Sequence, residues 1–186
     1  YMVVNNPSKE LTPKGGVPTL EEAIAALPAH VFYPYPALSG KSNCRLSVTG
    51  QSLAMSNKGK ILFTSDARGP LSNWSITPAN QQETNDWVYL QSYASGSRTL
   101  IASAQGTVES LPTEQVSGKA QAQAKWKVYT NGDGRLFFKS FSQPDFVLAM
   151  NDEGELVLKE QAINAGLDFQ SSVEVAEGTY WECDCK

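Results

Sequence analysis

The sequence contains one histidine, His30, and only three cysteines, Cys44, Cys183 and Cys185. That scarcity removes most nucleophilic and metal chemistry. A triad would have to join His30, held between prolines, to Cys44. A tetrahedral zinc site would need all four of these residues to converge without any CxxC spacing. A Lys/Arg cluster is also missing. Fifteen basic against 19 acidic residues give 15 − 19 = −4, which offers no electrostatic footprint for a phosphate backbone, so no nucleic-acid partner is expected. No apolar run approaches the roughly 18 to 20 residues of a membrane-spanning helix, so no membrane insertion is expected. A phosphate loop is absent, since Gly132-Asp133-Gly134 lacks the length and the lysine. The carboxylate pairs Glu21/Glu22, Asp152/Glu153 and Glu182/Asp184 fall at a helix cap, a hairpin turn and a tail, where solvated acids are ordinary. These gaps predict a non-enzymatic chain with no cofactor and no metal.

What is present is enough apolar residue for a core. The chain has 186 residues, 41% hydrophobic and 18% charged, which suits one folded domain and lacks the signature of disorder. Tyr1 in place of Met suggests that a signal peptide, a pro-segment or a tag has been removed. Cys183 and Cys185 are too close in sequence to bridge comfortably along an extended strand. The expected disulfide therefore runs from Cys44 to either Cys183 or Cys185, which points to a secreted, extracellular protein.

Residues 1–43 read as an arm. Pro7, Pro13, Gly15, Gly16 and Pro18 interrupt regular structure. Thr19 and Glu22 then form a capping box for a short helix over about 19–27, which Pro28 ends. Val31 to Pro36 is apolar, extended and proline-bearing, and is expected to drape over the main body.

From residue 44 onward the sequence repeats. Leu53, Leu100 and Leu148 are each followed six residues later by a glycine, Gly59, Gly106 and Gly154, and two further on by Ile61, Val108 and Leu156. Seven residues before each leucine stands another apolar residue: Leu46, Tyr93 and Phe141. An aromatic follows each glycine, as Trp74, Trp126 and Phe169. Each unit reads as four short strands, with its glycine supplying the positive φ of a hairpin turn. Asn131 to Gly134 supplies another such turn between the second and third units. The six aliphatic landmarks are predicted core, with the aromatics close to it.

Three such units resemble a β-trefoil over residues 44–174, in an all-β chain with a short N-terminal helical arm and a C-terminal tail, 175–186, tied back to Cys44. The pattern is similar to single-domain secreted trefoils such as mycocypins and Kunitz-type inhibitors. It lacks the Gln-x-Trp of ricin-type lectins, because Trp74 follows Ser72-Asn73 and Trp126 follows Ala124-Lys125. Resemblance to the inhibitors implies a monomer that meets a protein target, a papain-like cysteine protease ahead of a serine protease, or acts as a host-directed effector. The corresponding loops hold Thr49, Gly50 and Gln51, and Asp66, Arg68, Gly69 and Pro70. In Kunitz-type inhibitors the connection corresponding to 78–85 is used instead. The glycine-to-aromatic spacing is five residues longer in the second unit, so Glu114 and Gln115 in the polar stretch 112–123 join the candidates. A glycan is the alternative partner, since Trp87, Tyr89 and Tyr93 offer faces for pyranose stacking unless they are buried.

Overall fold

The computed structural model describes residues 32–65, 69–79, 87–93, 96–131, 134–161 and 178–185. The expected helix over 19–27, Phe169, Asp66, Arg68 and most of the 78–85 connection lie outside these residues. The described chain is a β-trefoil, all-β apart from short helical turns.

Six strands form the barrel: β2 (Cys44–Val48), β5 (Trp74–Pro78), β6 (Trp87–Ser92), β9 (Trp126–Thr130), β10 (Leu136–Ser140) and β13 (Glu182–Cys185). Each pairs antiparallel with the next, β13 returns to β2, and a bridge from Leu136 to Trp181 closes the ring. Three hairpins cap one end. They are β3 (Gln51–Met55) with β4 (Ile61–Thr64), β7 (Arg98–Ala102) with β8 (Val108–Pro112), and β11 (Phe146–Met150) with β12 (Leu156–Glu160). A two-residue β1 (Tyr33–Pro34) lies against β9 on the outside, so the proline-bearing stretch drapes over the barrel as expected.

Strand alternation explains the barrel. In β2, Cys44, Leu46 and Val48 point inward while Arg45 and Ser47 reach solvent, and β6 follows the same pattern with Val88 and Leu90 inside. No one unit can bury such a face alone, but three together surround a common interior. Leu53, Leu100 and Leu148 are completely buried there.

The hairpin turns repeat atom for atom. The amide of Ser56 donates to Lys60 O at 2.8 Å, that of Ser103 to Thr107 O at 2.8 Å and that of Asn151 to Glu155 O at 2.9 Å. Gly59, Gly106 and Gly154 hold φ of 80°, 82° and 77°, the left-handed region that an L side chain enters only at a cost of roughly 1–2 kcal/mol.

The structure corrects three sequence expectations. First, Ile61, Val108 and Leu156 are half-buried. They line an open depression of about 580 Å³ between the three hairpins, bridged on one side by Ser110 Oγ, which donates to Gly59 O at 3.1 Å. Second, the trefoil does not end near 174. The residues expected to be a tail form the last barrel strand, β13. Trp181 donates its indole N–H to Leu148 O at 2.9 Å, as Trp74 does to Leu53 O at 2.8 Å and Trp126 to Leu100 O at 3.3 Å. Trp181 therefore takes the third tryptophan place that spacing had given to Phe169. The third, Leu46–Tyr93–Phe141, is a false register. Leu46 is buried, whereas Tyr93 is 60% and Phe141 41% exposed. The inward counterparts of Leu46 are Leu90 and Phe138. The β2–β3 turn has two residues, 49–50, while the β6–β7 and β10–β11 connections have five, 93–97 and 141–145. A constant seven-residue offset therefore slides off the strand and onto the loop in the second and third units.

Candidate binding surface

The three sulfurs converge where the barrel closes. Cys44 is bonded to Cys185, 141 residues away, which resolves the open pairing and in the chain-entropy model removes about 5 kcal/mol of unfolded-state freedom. Cys183 keeps a free thiol with its Sγ 3.4 Å from that of Cys185. By register it faces Leu46, the place that Ile76 holds against Leu90. Burial, with a smaller contribution from the Asp184 carboxylate, pushes this thiol up to about 12. A thiol so reluctant to ionise is a poor nucleophile and a poor metal ligand. It is half-buried and packs against the core.

The loop candidates are spread over separate units. Thr49 and Gly50 form an exposed two-residue tip with φ of 49° and 80°, and Gln51 opens β3. Gly69 accepts a hydrogen bond at 3.1 Å from the Ser72 amide and, with Pro70, leads a 3₁₀ turn that packs on β3. Glu114 and Gln115 are exposed on the next 3₁₀ turn, Thr113–Gln115. The extra residues of the second unit are ordered: Thr113 Oγ1 bonds with Ser97 Oγ at 2.8 Å and Thr99 Oγ1 at 3.0 Å, and α1 (Lys119–Ala124) packs on β7 with Ala124 buried. Since 65–73 and 113–125 are equivalent connections of successive units, the three-fold axis holds Gly69/Pro70 and Glu114/Gln115 apart. Among the described residues, no single site unites them.

A different surface does bring side chains together. Phe141, in the β10–β11 connection, packs edge-on against Trp87 with ring centroids 4.8 Å apart and planes at 85°. Its amide donates to Lys125 O at 3.0 Å, which fixes the loop to the start of β9. The Lys125 ammonium lies 5.1 Å from the Phe141 centroid, and that of Lys127 lies 5.7 Å from Trp87 and 5.7 Å from Tyr129. Lys139 completes the group, directly opposite Lys127 across the β9–β10 ladder. Its ammonium is held below the usual lysine range, chiefly by burial and then by Lys127, with Asp145 opposing.

This surface continues an outer face of the same two strands. Tyr129 and Phe137 also point outward, but Phe137 is stacked by Phe32 at 4.2 Å and by Tyr180 at 5.5 Å, which shelters that half in a second small core. Trp87 was named from the sequence as a possible stacking residue. Phe141 was missed because the false register assigned it to a strand, and the lysines were missed because only chain pairing joins them. Tyr89 is half-buried, and Tyr93 is exposed but separate, its hydroxyl taken by Ser75 Oγ at 3.1 Å.

A designed three-fold symmetric protein, ThreeFoil, superposes on this chain with a TM-score of 0.57 at 13% identity, covering 75% of this chain and 96% of the design. That agreement places the chain among β-trefoil-like folds and makes it a trefoil-type module. A GlcNAcα1-4Gal-releasing endo-β-galactosidase from Clostridium perfringens superposes with a TM-score of 0.57 at 17% identity, over 78% of this chain and 32% of the enzyme. This chain thus spans about a third of that enzyme's length. At such identities the likeness is one of fold. No protein-family model matches the chain, and no curated protein matches it in sequence.

Proposed function

We propose that this chain is a non-enzymatic, exported trefoil that binds carbohydrate on the Trp87–Phe141 surface. The observation that carries the reading is Phe141, a ring 41% exposed and braced against Trp87 in a connection longer than the barrel requires. Fixed aromatic rings at a surface stack well on the apolar face of a pyranose, at little entropic cost. The clostridial neighbour is by its description an enzyme acting on a galactose-containing glycan, which is in keeping with this reading but contributes only a shared fold. Export is supported by the Cys44–Cys185 bond, which persists in oxidising surroundings.

The test is a glycan array probed with the native chain and with Phe141→Ala. Binding by the native chain that Phe141→Ala abolishes is the expected outcome, and a blank array for the native chain removes the reading. Phe141→Ala also removes the edge-on contact with Trp87, worth about 0.5–1.5 kcal/mol, so thermal unfolding should show the variant slightly destabilised but folded.

Protease inhibition is the second reading, and neither neighbour described above is an inhibitor by its name. It rests on the exposed Thr49–Gly50 tip, whose two left-handed residues hold a tight projecting turn of the kind that can enter a protease cleft. Titration against papain-like and trypsin-like proteases tests it, and no inhibition at micromolar excess eliminates it.

A further inference from the structure

We infer that the carbohydrate bound at this surface is acidic, carrying carboxylate or sulfate groups that Lys125, Lys127 and Lys139 receive. This inference rests on the carbohydrate reading above and specifies its ligand.

The strand register brings two lysines together. Like charges set directly opposite in an antiparallel ladder are destabilising, and Lys127 and Lys139 occupy such a pair. A third lysine, Lys125, stands two residues before Lys127 on the same side of its strand. Among the described residues, the charged groups that bear on Lys139 are Lys127, which repels it, and Asp145 in the adjacent connection, which favours its charge. The balance leaves Lys139 easier to deprotonate than an ordinary lysine. An anion placed between β9 and β10 reverses that balance, because its charge favours all three ammonium groups at once.

The rings fix where such an anion sits. Lys125 and Lys127 lie 5.1 and 5.7 Å from the centroids of Phe141 and Trp87. A pyranose stacked on either ring carries its exocyclic substituents at the ring's periphery. An acid group there is within reach of the adjacent ammonium once the flexible lysine swings from above the ring. Stacking and charge are thereby satisfied by one sugar unit, and a chain of such units would pass from Trp87 and Phe141 toward Lys139. Overall charge conceals this patch. The chain is net −4, and Lys139 joins Lys125 and Lys127 only through the pairing of β9 with β10.

The experiment measures binding of the full chain to three immobilised polysaccharides: hyaluronan, whose acid groups are carboxylates only; chondroitin sulfate, which adds sulfate esters; and neutral dextran. It compares the native chain, Phe141→Ala, Tyr93→Ala and the triple variant Lys125→Gln/Lys127→Gln/Lys139→Gln, with thermal unfolding to verify that each variant is folded. We expect binding to hyaluronan or chondroitin sulfate but not dextran, weakening steeply with added salt. The triple variant should lose roughly tenfold or more of that affinity, while Tyr93→Ala retains it. Binding to chondroitin sulfate alone assigns the anion as sulfate, and equal binding to both assigns the carboxylate. Dextran bound as tightly as the acidic chains, with Phe141→Ala abolishing it and the triple variant unaffected, overturns the acidic ligand and leaves carbohydrate binding standing. Native chain that binds none of the three overturns the inference, and the blank array described above separately decides the broader reading.

Discussion

The barrel interior and the rim of connections follow different rules. Inside, three tryptophans donate to three leucine carbonyls, and three glycines turn three hairpins at nearly the same φ. On the rim, equivalent places have diverged. Phe141 and Tyr93 occupy matching connections, but Phe141 sits among lysines and a tryptophan, whereas Tyr93 meets a serine hydroxyl. Closing a barrel constrains every unit alike, since each must fill a third of one interior. A connection has only to join its strands, so its side chains are open to a unit-specific role.

The largest effects should come from the interior. Replacing Trp74, Trp126 or Trp181 by Phe leaves a buried leucine carbonyl without its donor and should cost about 1–3 kcal/mol in each unit. Equal losses in urea unfolding would sharpen the contrast, and a markedly cheaper Trp181→Phe would break it. Cys183, a half-buried thiol packed against the core, adds a pH-sensitive point. Its folded-state value of about 12 lies above the ordinary 9.0. Its contribution is therefore complete below pH 9 and is lost as pH rises toward 12, by about 1.4 kcal/mol per pH unit. Cys183→Ala should flatten that alkaline decline relative to the native chain.

Smaller effects belong to the hairpins and the rim. Gly59→Ala, Gly106→Ala and Gly154→Ala all force an L residue to positive φ, at about 1–2 kcal/mol. Only at Gly59 does the new methyl also meet the Arg98 guanidinium, 2.8 Å from its Cζ, a group anchored by Nε to Ser110 Oγ at 2.8 Å. Gly59→Ala should consequently be the most costly of the three, and equal midpoints would show that this side chain moves aside freely. Least of all, Lys139→Met should raise stability near neutral pH by about 0.5 kcal/mol, by removing the repulsion from Lys127 while keeping the aliphatic stem. Because Lys139 titrates below 10.5 when folded, this gain should begin to fade as pH rises through that lowered value and vanish above 10.5, where the charge is lost in both states. A gain independent of pH would assign the effect to packing instead.

The repeat was legible wherever geometry fixes spacing. From each leucine to its glycine the chain follows a hairpin that all three units share, so Leu53, Leu100 and Leu148 could be aligned by counting. Counting failed where loop lengths differ. The longer connections at 93–97 and 141–145 moved Tyr93 and Phe141 out of the strands to which a constant offset assigned them. A longer separation placed Trp181 beyond the expected end of the third unit. The lysine cluster has no signature along the chain, because Lys127 and Lys139 are neighbours only across the ladder. Its aromatic partner Trp87 comes from a third strand again. The pairing of Cys44 was legible only as a choice of two, and the strand register of β13 decides it.

The covalent link between Cys44 and Cys185 also has a mechanical consequence. It joins the first strand of the barrel to the last. Force drawn between Cys44 and Cys185 passes across a single sulfur–sulfur bond instead of through the hydrogen-bonded ladders. The intervening chain would stay slack and the barrel closed.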